Sequence, residues 1–516
     1  MPEGALPFLA HQVRSAALGG IDARGIRVEI DSNPGLHSFS VVGLGDKAVQ
    51  ESVDRIGAAI KHGGFVAPSA KNRRFVVNLA PADLKKEGSG FDLPIAIAYL
   101  IETKQLQASP DGRMFIGELG LDGSLAHTHG ILAAAILARD MGMHELIVPA
   151  QNAAEAAVVE GIRIIAASTL GDVTRHLDGT TPIEPTSPDS ESPPAYGDDS
   201  WDYIQGQFAA KRALVIAAAG GHNVLMSGTP GSGKTLLARS LAGLLPPLTL
   251  SEAIEVAKIQ SSIGLLRGSV RGIVRPFCAP HHTASPAAIV GGGTIIRPGQ
   301  VSLAHRGVLF MDELPEFPRN VLESLRQPLE DGIVTISRAS GSLILPAKFM
   351  LVAAMNPCPC GNLGDPKTVC TCTSTAINQY ARRISGPLLD RIDIHVLVSR
   401  EGVTSGSQTA GDITAVRNRI VAARTLQAER LAGQGLITNS EITHKDIDRF
   451  CVLQPAADRL LTTAVNAKHL SMRAFHKIKR IARTIADLES SPDIAEHHVA
   501  EALALRVNDR VVHEAA

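Results

Sequence analysis

Gly228-Thr229-Pro230-Gly231-Ser232-Gly233-Lys234-Thr235 reads G-x-x-x-x-G-K-T, a spacing that lets backbone N–H groups close around phosphate oxygens. The glycines permit the tight turn, and a helix opening at Lys234 would add its partial positive charge. In such a loop the Lys234 ammonium reaches the β and γ phosphates of a nucleotide, and the Thr235 hydroxyl ligates Mg²⁺. Downstream, the apolar run Val308-Leu309-Phe310-Met311 ends in Asp312-Glu313. A strand ending this way places Asp312 on the magnesium shell and leaves Glu313 to polarise an attacking water. Asn356, after the run from Phe349 to Ala354, either orients that water or caps a turn before Pro357. The chemistry expected is ATP hydrolysis, with ATP and Mg²⁺ as cofactors.

Four of the six cysteines form a second cluster, Cys358-x-Cys360 and Cys370-x-Cys372, with nine residues between the pairs. Four thiolates on one short loop fit a tetrahedral, structural Zn²⁺ site; the alternative is four reduced thiols or a redox-labile pair. Cys278 and Cys451 stand alone and read as inert.

These residues need a scaffold, and the hydrophobic pattern supplies an α/β one. Helix Gln207 to Ala219, buried strand Asn223 to Ser227 and helix Lys234 to Gly243 surround the glycine loop. Strands Val308 to Met311 and Phe349 to Ala354 suggest a parallel sheet. From about Gly411 the chain reads as helical, with Ile413 to Leu431, Thr443 to Phe450, Ala456 to Ala467, Arg473 to Leu488 and Ile494 to Leu505. Residues 179–200 hold five prolines, five acidic residues and no Lys or Arg, the composition of a solvated linker. Before it, β-branched runs at Ile26 to Ile30, Phe75 to Asn78 and Leu146 to Val148 alternate with helical stretches such as Gly130 to Met141. The expected division is an α/β domain at 1–178, the linker, an ATPase core at 201–400 and a helical domain at 411–510.

Composition narrows the function classes. Over 516 residues, 50 Lys+Arg face 51 Asp+Glu, a net charge of -1, so no bulk field advertises nucleic acid and any basic surface is local. A hydrophobic share of 45% excludes wholesale disorder. Apolar stretches such as Ala213 to Ala219 fall short of the ~18 residues a membrane-spanning helix needs. The opening MPEGALPFLAHQVRSAALGG lacks the pattern of a secretory signal, so the expected location is cytoplasmic, with no membrane partner.

The segment from Ser227 to Thr235, Asp312-Glu313, the strand end Ala353 to Pro357, and Ser385-Gly386-Pro387-Leu388-Leu389-Asp390-Arg391-Ile392-Asp393 together resemble the magnesium-chelatase-like AAA+ family of YifB and ComM proteins. Asn78 to Gly88 and Phe91 to Ala96 look like that family's N-terminal domain, so the resemblance covers nearly the whole chain. It implies an AAA+ P-loop α/β core, a C-terminal helical lid and a ring-forming ATPase. A hexameric homo-oligomer acting on single-stranded or branched DNA, driving branch migration in natural transformation, is what it points to. Rings of this kind share their active sites between subunits. By the resemblance, Arg391 matches an arginine finger offered to the neighbour's γ-phosphate, with Arg383 as the alternative, and Arg473 matches the sensor 2 arginine. Fingers of known NTPases are worth roughly 10³ to 10⁵ in rate.

The same resemblance makes Arg275 to Gly299 an insertion in the second helix, pointing into the ring's pore. Ile333 to Leu345 alternates around Ala339 to Ser342 and reads as a β-hairpin, similar to the pre-sensor hairpin of that clade. If the pore holds DNA, Arg297, Arg338 and Lys348 are phosphate-contact candidates, with plain surface charge as the alternative. His281-His282 reads as a polar turn more readily than as a metal site. Lys468, Arg473, Lys477, Lys479, Arg480 and Arg483 give one helix a basic face, for the nucleotide and a neighbouring subunit or for DNA.

The N-terminal segment resembles the fold shared with the Lon protease domain, the ribosomal S5 domain 2 type. Peptide hydrolysis there needs Ser activated by Lys. The nucleophile slot falls on Gly90 or Phe91, with Ser89 close by, and Ala133 to Ala135 stand where the lysine would be, so the domain is expected to be non-catalytic. Two rival functions remain: a magnesium-chelatase-type ATPase subunit, and a ring that remodels protein.

Overall fold

Burial alternates along Val13–Gly19, with Val13, Ser15 and Ala17 inward, and this two-residue period makes it a sheet strand with one covered face. The computed structural model describes residues 12–43, 47–84, 86, 88–189, 196–266, 268–293, 297–338, 341–365, 367–399, 412–467 and 470–506. Lys85, Glu87, residues 190–195 of the linker, Thr294 to Ile296, Ala339, Ser340, Lys468, and the chain ends of the core and lid at 400, 411 and 507–510 lie outside the described residues, as does the Arg338 side chain.

The chain divides into two compact units, Met1–Pro193 with Thr249–Ile273, and Pro194–Leu248 with Val274–Ala516. In the first, a seven-stranded mixed sheet runs in the order Ser38–Val42, Arg73–Ala80, Asp22–Pro34, Val13–Gly19, Arg113–Phe115, Glu145–Pro149, Arg163–Ala167. Helix Asp92–Glu102 is apolar on every side and forms the centre of its core, among Ile26, Val28, Ile56, Phe75 and Phe115. Its first residue, Asp92, is buried and accepts from Arg55 at 2.9 and 3.2 Å.

Helix Leu250–Ser262 belongs with this first unit. Thr249 and Glu252 form its capping box, and it buries Ala253, Val256, Ala257 and Ile259 while packing against helix Ile131–Asp140. Lys258 reaches Asp22 at 2.6 Å, and Ser261 O accepts the Gly130 N–H at 2.9 Å. This helix, inside the expected 201–400 core, thus packs with the first unit: an amphipathic helix follows whatever surface covers its apolar stripe, not its neighbours in sequence.

In the second unit five parallel strands, Val224–Gly228, Phe277–Cys278, Val308–Met311, Met350–Met355 and Ile394–Val398, numbered one to five in chain order, lie side by side as 5-1-4-3-2. Their buried residues join those of helices Phe208–Gly220, Ile413–Arg430, Met472–Leu488 and Glu496–Ala504 in one core. The helical region is thus continuous with the sheet's packing. Arg424 and Gln427 donate to Ala218 O and Ala219 O, satisfying carbonyls at the end of helix Phe208–Gly220.

Arg275 donates to Pro246 O at 2.6 Å and Arg306 O at 2.7 Å, stapling the two points between which the chain leaves for the first unit. The expected insertion at 275–299 is narrower than the sequence suggests. Phe277–Cys278 is the sheet's edge strand, its Phe277 ring stacked on Phe310, and among the described residues Gly291–Gly292 pairs with Arg297–Pro298 as a separate two-stranded ribbon. The hairpin is present as Ile333–Arg338 against Gly341–Pro346. Both ends of the linker are tied down. Thr186 N–H donates to Ile164 O, and Tyr196 lies 4.2 Å beneath Arg417, which also reaches Asp199 at 2.6 Å. Among the described residues no helix is long and apolar enough to cross a membrane.

Candidate active site

At Gly228 a Cβ would fall 2.2 Å from Val398 O, so the first strand turns where only glycine fits. Gly231 and Gly233 take φ of 74° and 90°, and helix Lys234–Leu244 begins behind them. Lys234 is 8% exposed and donates to Gly228 O at 2.7 Å, Thr229 O at 3.0 Å and Asn356 Oδ1 at 3.3 Å. Burial pushes its pKa down against the pull of Asp312 and Glu313. Thr229 Oγ1 and Ser232 Oγ are buried without a hydrogen-bond partner among the described residues. Phosphate oxygens would supply what those hydroxyls lack, so the loop fits a nucleotide.

Sheet order explains how distant residues meet. Strand Met350–Met355 lies between the loop strand and Val308–Met311, with Met355 opposite Ser227 and Ala353 opposite Met311. That register carries Asn356 to Lys234, and it brings Asp312 to Thr235, whose Oγ1 donates to Asp312 Oδ2 at 2.9 Å. A hydroxyl and a carboxylate so paired are an oxygen donor set for Mg²⁺. Glu313 follows at φ 51°, left-handed for a non-glycine, with its N–H on Asp312 Oδ1 at 2.9 Å. Its half-exposed carboxylate has His282 Nδ1 at 3.4 Å, and the His282 ring stands edge-on to Phe317. No spacing rule announces that contact.

Beside the loop a cavity of about 200 Å³ is walled by Tyr203, Ile204, Gln207, Ser232 and Leu236. Tyr203, Ile204 and Leu236 give this mixed lining an apolar part next to the phosphate loop, where a flat base could lie. Sequence reasoning missed residues 203–207; their one signal is an apolar pair just ahead of the first helix of the core.

Arg391 and Arg473 converge elsewhere on the same unit. Arg391 bonds one oxygen of Glu330 through Nη2 and donates to Pro387 O at 2.7 Å through Nη1; Arg473 reaches the other Glu330 oxygen at 3.1 Å. Arg383 pairs with Glu316 at 2.7 Å. Behind the pair, Lys477 stands 2.8 Å from Asp393. Burial alone would raise the Asp393 pKa, but Lys477 and His222 hold it well below the usual carboxylate range.

The basic helix face is corrected. Lys477 is mostly covered and pairs with Asp393, Lys479 reaches Asp448 at 2.6 Å, Arg480 donates to Ser440 O at 3.2 Å, and Arg483 is 2% exposed against Asp487. Long side chains on one face found anionic and carbonyl partners inside the unit, leaving Arg473 exposed. Of the other basic candidates, Arg297 is exposed and Lys348 lies 4.0 Å from Glu441.

The four cysteines come together as the spacing suggested. Cys358, Cys360 and Cys370 sulfurs are 3.4 to 3.6 Å apart, all four lie within 4.8 Å of one another, and Cys372 accepts from the Cys360 N–H at 3.4 Å. Sulfurs at about 2.3 Å from one ion in a tetrahedron are about 3.8 Å apart, so the set fits Zn²⁺. Glu489, His497 and His498 also cluster. There His498 Nδ1 accepts the Ala495 N–H, which leaves the proton on Nε2 to donate to Glu489 and makes this a hydrogen-bonded helix cap. In the first unit Ser89 donates to Glu118 and Lys86 to Pro81 O, so hydroxyl and amine are engaged with different partners.

Three family descriptions match the chain: "Subunit ChlI of Mg-chelatase" over residues 28–152, "Magnesium chelatase, subunit ChlI" over 200–405 and "Magnesium chelatase, subunit ChlI C-terminal" over 412–506. The chain is similar to competence protein ComM of Haemophilus influenzae, 43% identical over 510 residues that span 97% of this chain and 98% of the relative. It is 40% identical to YifB of Escherichia coli over 504 residues, 97% of each chain. A magnesium-chelatase 67 kDa subunit of Chlorobaculum tepidum is 30% identical over 158 residues, 30% of this chain and 23% of the relative.

Proposed function

This chain belongs to the magnesium-chelatase-like AAA+ ATPase family of YifB and ComM proteins, and on that premise we propose that it is an ATP-driven ring motor on DNA, a cytoplasmic helicase that moves branch points in recombination. The observation that carries the ATPase half is the gathering of Lys234, Thr235, Asp312, Glu313 and Asn356 around one glycine loop. Residues 228–235 hold the phosphates, Thr235 and Asp312 hold Mg²⁺, Glu313 polarises the attacking water and Asn356 orients it. The hydroxyl-carboxylate pair supplies oxygens of the hardness Mg²⁺ takes, and the ion would neutralise charge developing on the phosphates.

Arg391 and Arg473 complete the site of a neighbouring subunit in a homo-oligomeric ring, taken to be a hexamer. Their convergence on one carboxylate supports this reading, because two guanidiniums aimed at one point suit a phosphoryl group. The four cysteines bind a structural Zn²⁺. The unit containing residues 12–189 acts in assembly or DNA guidance and is non-catalytic. DNA as substrate is supported by the near full-length similarity to a competence protein.

The test is steady-state ATP turnover with Mg²⁺ at fixed modest salt, with and without single-stranded, duplex and forked or four-way DNA. Stimulation by DNA that Lys234→Ala abolishes is the expected result. Turnover indifferent to every DNA would shift the function to a protein-remodelling or chelatase-type ATPase.

A further inference from the structure

Gly361 lies in the four-cysteine loop, buried, at φ 81°, with its N–H on Cys358 O at 3.0 Å. A Cβ on it would sit 2.6 Å from both Cγ and Cδ of Pro230, in the phosphate loop. A pyrrolidine ring cannot rotate away as a flexible side chain would, so backbone lies directly on proline here. On the other side of Cys358, Asn356 bonds the Lys234 ammonium. Cys358, itself fully buried, is therefore flanked by two contacts with the phosphate loop, one from Asn356 and one from Gly361.

We propose that Gly361 is a positioning residue for the phosphate loop, and that through its contact with Pro230 a divalent metal on the four cysteines and a nucleotide on residues 229–235 strengthen each other's binding. The inference rests on the ATPase and zinc readings above. With a metal in place, the positions of Cys358 and Cys360 are fixed and the turn carrying Gly361 is held against Pro230. Without it, nothing neutralises thiolates that lie this close together, and the turn loosens. A preorganised loop binds phosphate without the cost of ordering it. Linkage makes the effect reciprocal, by one and the same factor in both directions.

The experiment uses the full chain, zinc-loaded and chelator-stripped, with folding checked by circular dichroism and zinc content by a chromogenic chelator. Titration with a fluorescent ADP analogue is expected to give a Kd about 5- to 20-fold weaker in the stripped protein, and ADP is expected to strengthen zinc retention against competing chelator by the same factor. Gly361→Ala should keep its zinc and weaken ADP binding to a similar extent. Gly364→Ala is the control, because Gly364 shares the positive φ, at 80°, but a Cβ there meets nothing within 4 Å. Equal ADP affinity in loaded and stripped folded protein would overturn the proposal, as would equal ADP affinity in the two alanine variants. Wild type that takes no zinc under reconstitution overturns the linkage, whereas zinc-loaded wild type that binds no nucleotide overturns the ATPase reading on which it stands.

Discussion

Arg391 and Arg473 meet on the two oxygens of Glu330. One is at the end of the turn before strand Ile394–Val398, the other in the first turn of helix Met472–Leu488. Their bases are joined as well as their tips, since Asp393, two residues after Arg391, pairs with Lys477, one turn after Arg473. Two cations fixed at both ends act as one pincer; in the ring proposed above, the neighbour's phosphate would replace Glu330 as its anion.

Because the pincer acts as a unit, removal of either arginine should cost most of what removal of both costs. Arg391→Ala and Arg473→Ala are each expected to lower kcat by roughly 10³-fold or more in the assembled protein, with ATP binding at the loop kept. The double variant should be little worse than either single. Multiplying losses would show that the two act on separate groups. Glu330→Gln is half-exposed and should leave stability nearly unchanged, within about 1 kcal/mol in urea unfolding.

Glu313→Gln should bind ATP and hydrolyse it on the order of 10² to 10⁴ times more slowly. His282 Nδ1 lies 3.4 Å from the same carboxylate without lying on the reacting water, so His282→Ala should change turnover far less than that. Single-turnover hydrolysis measured alongside nucleotide affinity separates the two, and normal turnover in Glu313→Gln would remove it from the mechanism.

The cavity beside the loop should recognise the base. Leu236→Ala takes away apolar wall worth about 1 to 2 kcal/mol, so nucleotide Kd should rise about 5- to 30-fold while kcat holds. An unchanged Kd would place the base elsewhere.

Asp393, buried on Lys477, should make the second unit sensitive to acid. A carboxyl whose pKa is depressed by folding contributes stability that is whole above its unfolded value and lost as pH falls through the folded one. Urea midpoints should therefore fall between about pH 5 and pH 2, and fall less steeply in Asp393→Asn. At neutral pH Lys477→Met, which leaves the buried Asp393 with only the Asn223 N–H and His222 beside it, should cost about 3 kcal/mol.

The site motifs were legible in the sequence because each is local: a glycine loop, a strand ending in two acids and, apart from these, two cysteine pairs at short spacing. Their neighbouring strand and helix followed from period and turn chemistry, within a residue or two of Val224–Gly228 and Lys234–Leu244. What the sequence left open was partnership across the chain. Only sheet order sets Met350–Met355 between the two other site strands and so delivers Asn356 to Lys234. Only packing takes Leu250–Ser262 into the first unit, turns a run of basic residues inward, and lays Gly361 on Pro230. An apolar stripe or a long cation declares that it needs a partner, but which partner satisfies it depends on contacts between residues far apart in sequence, and those exist only once the chain has folded.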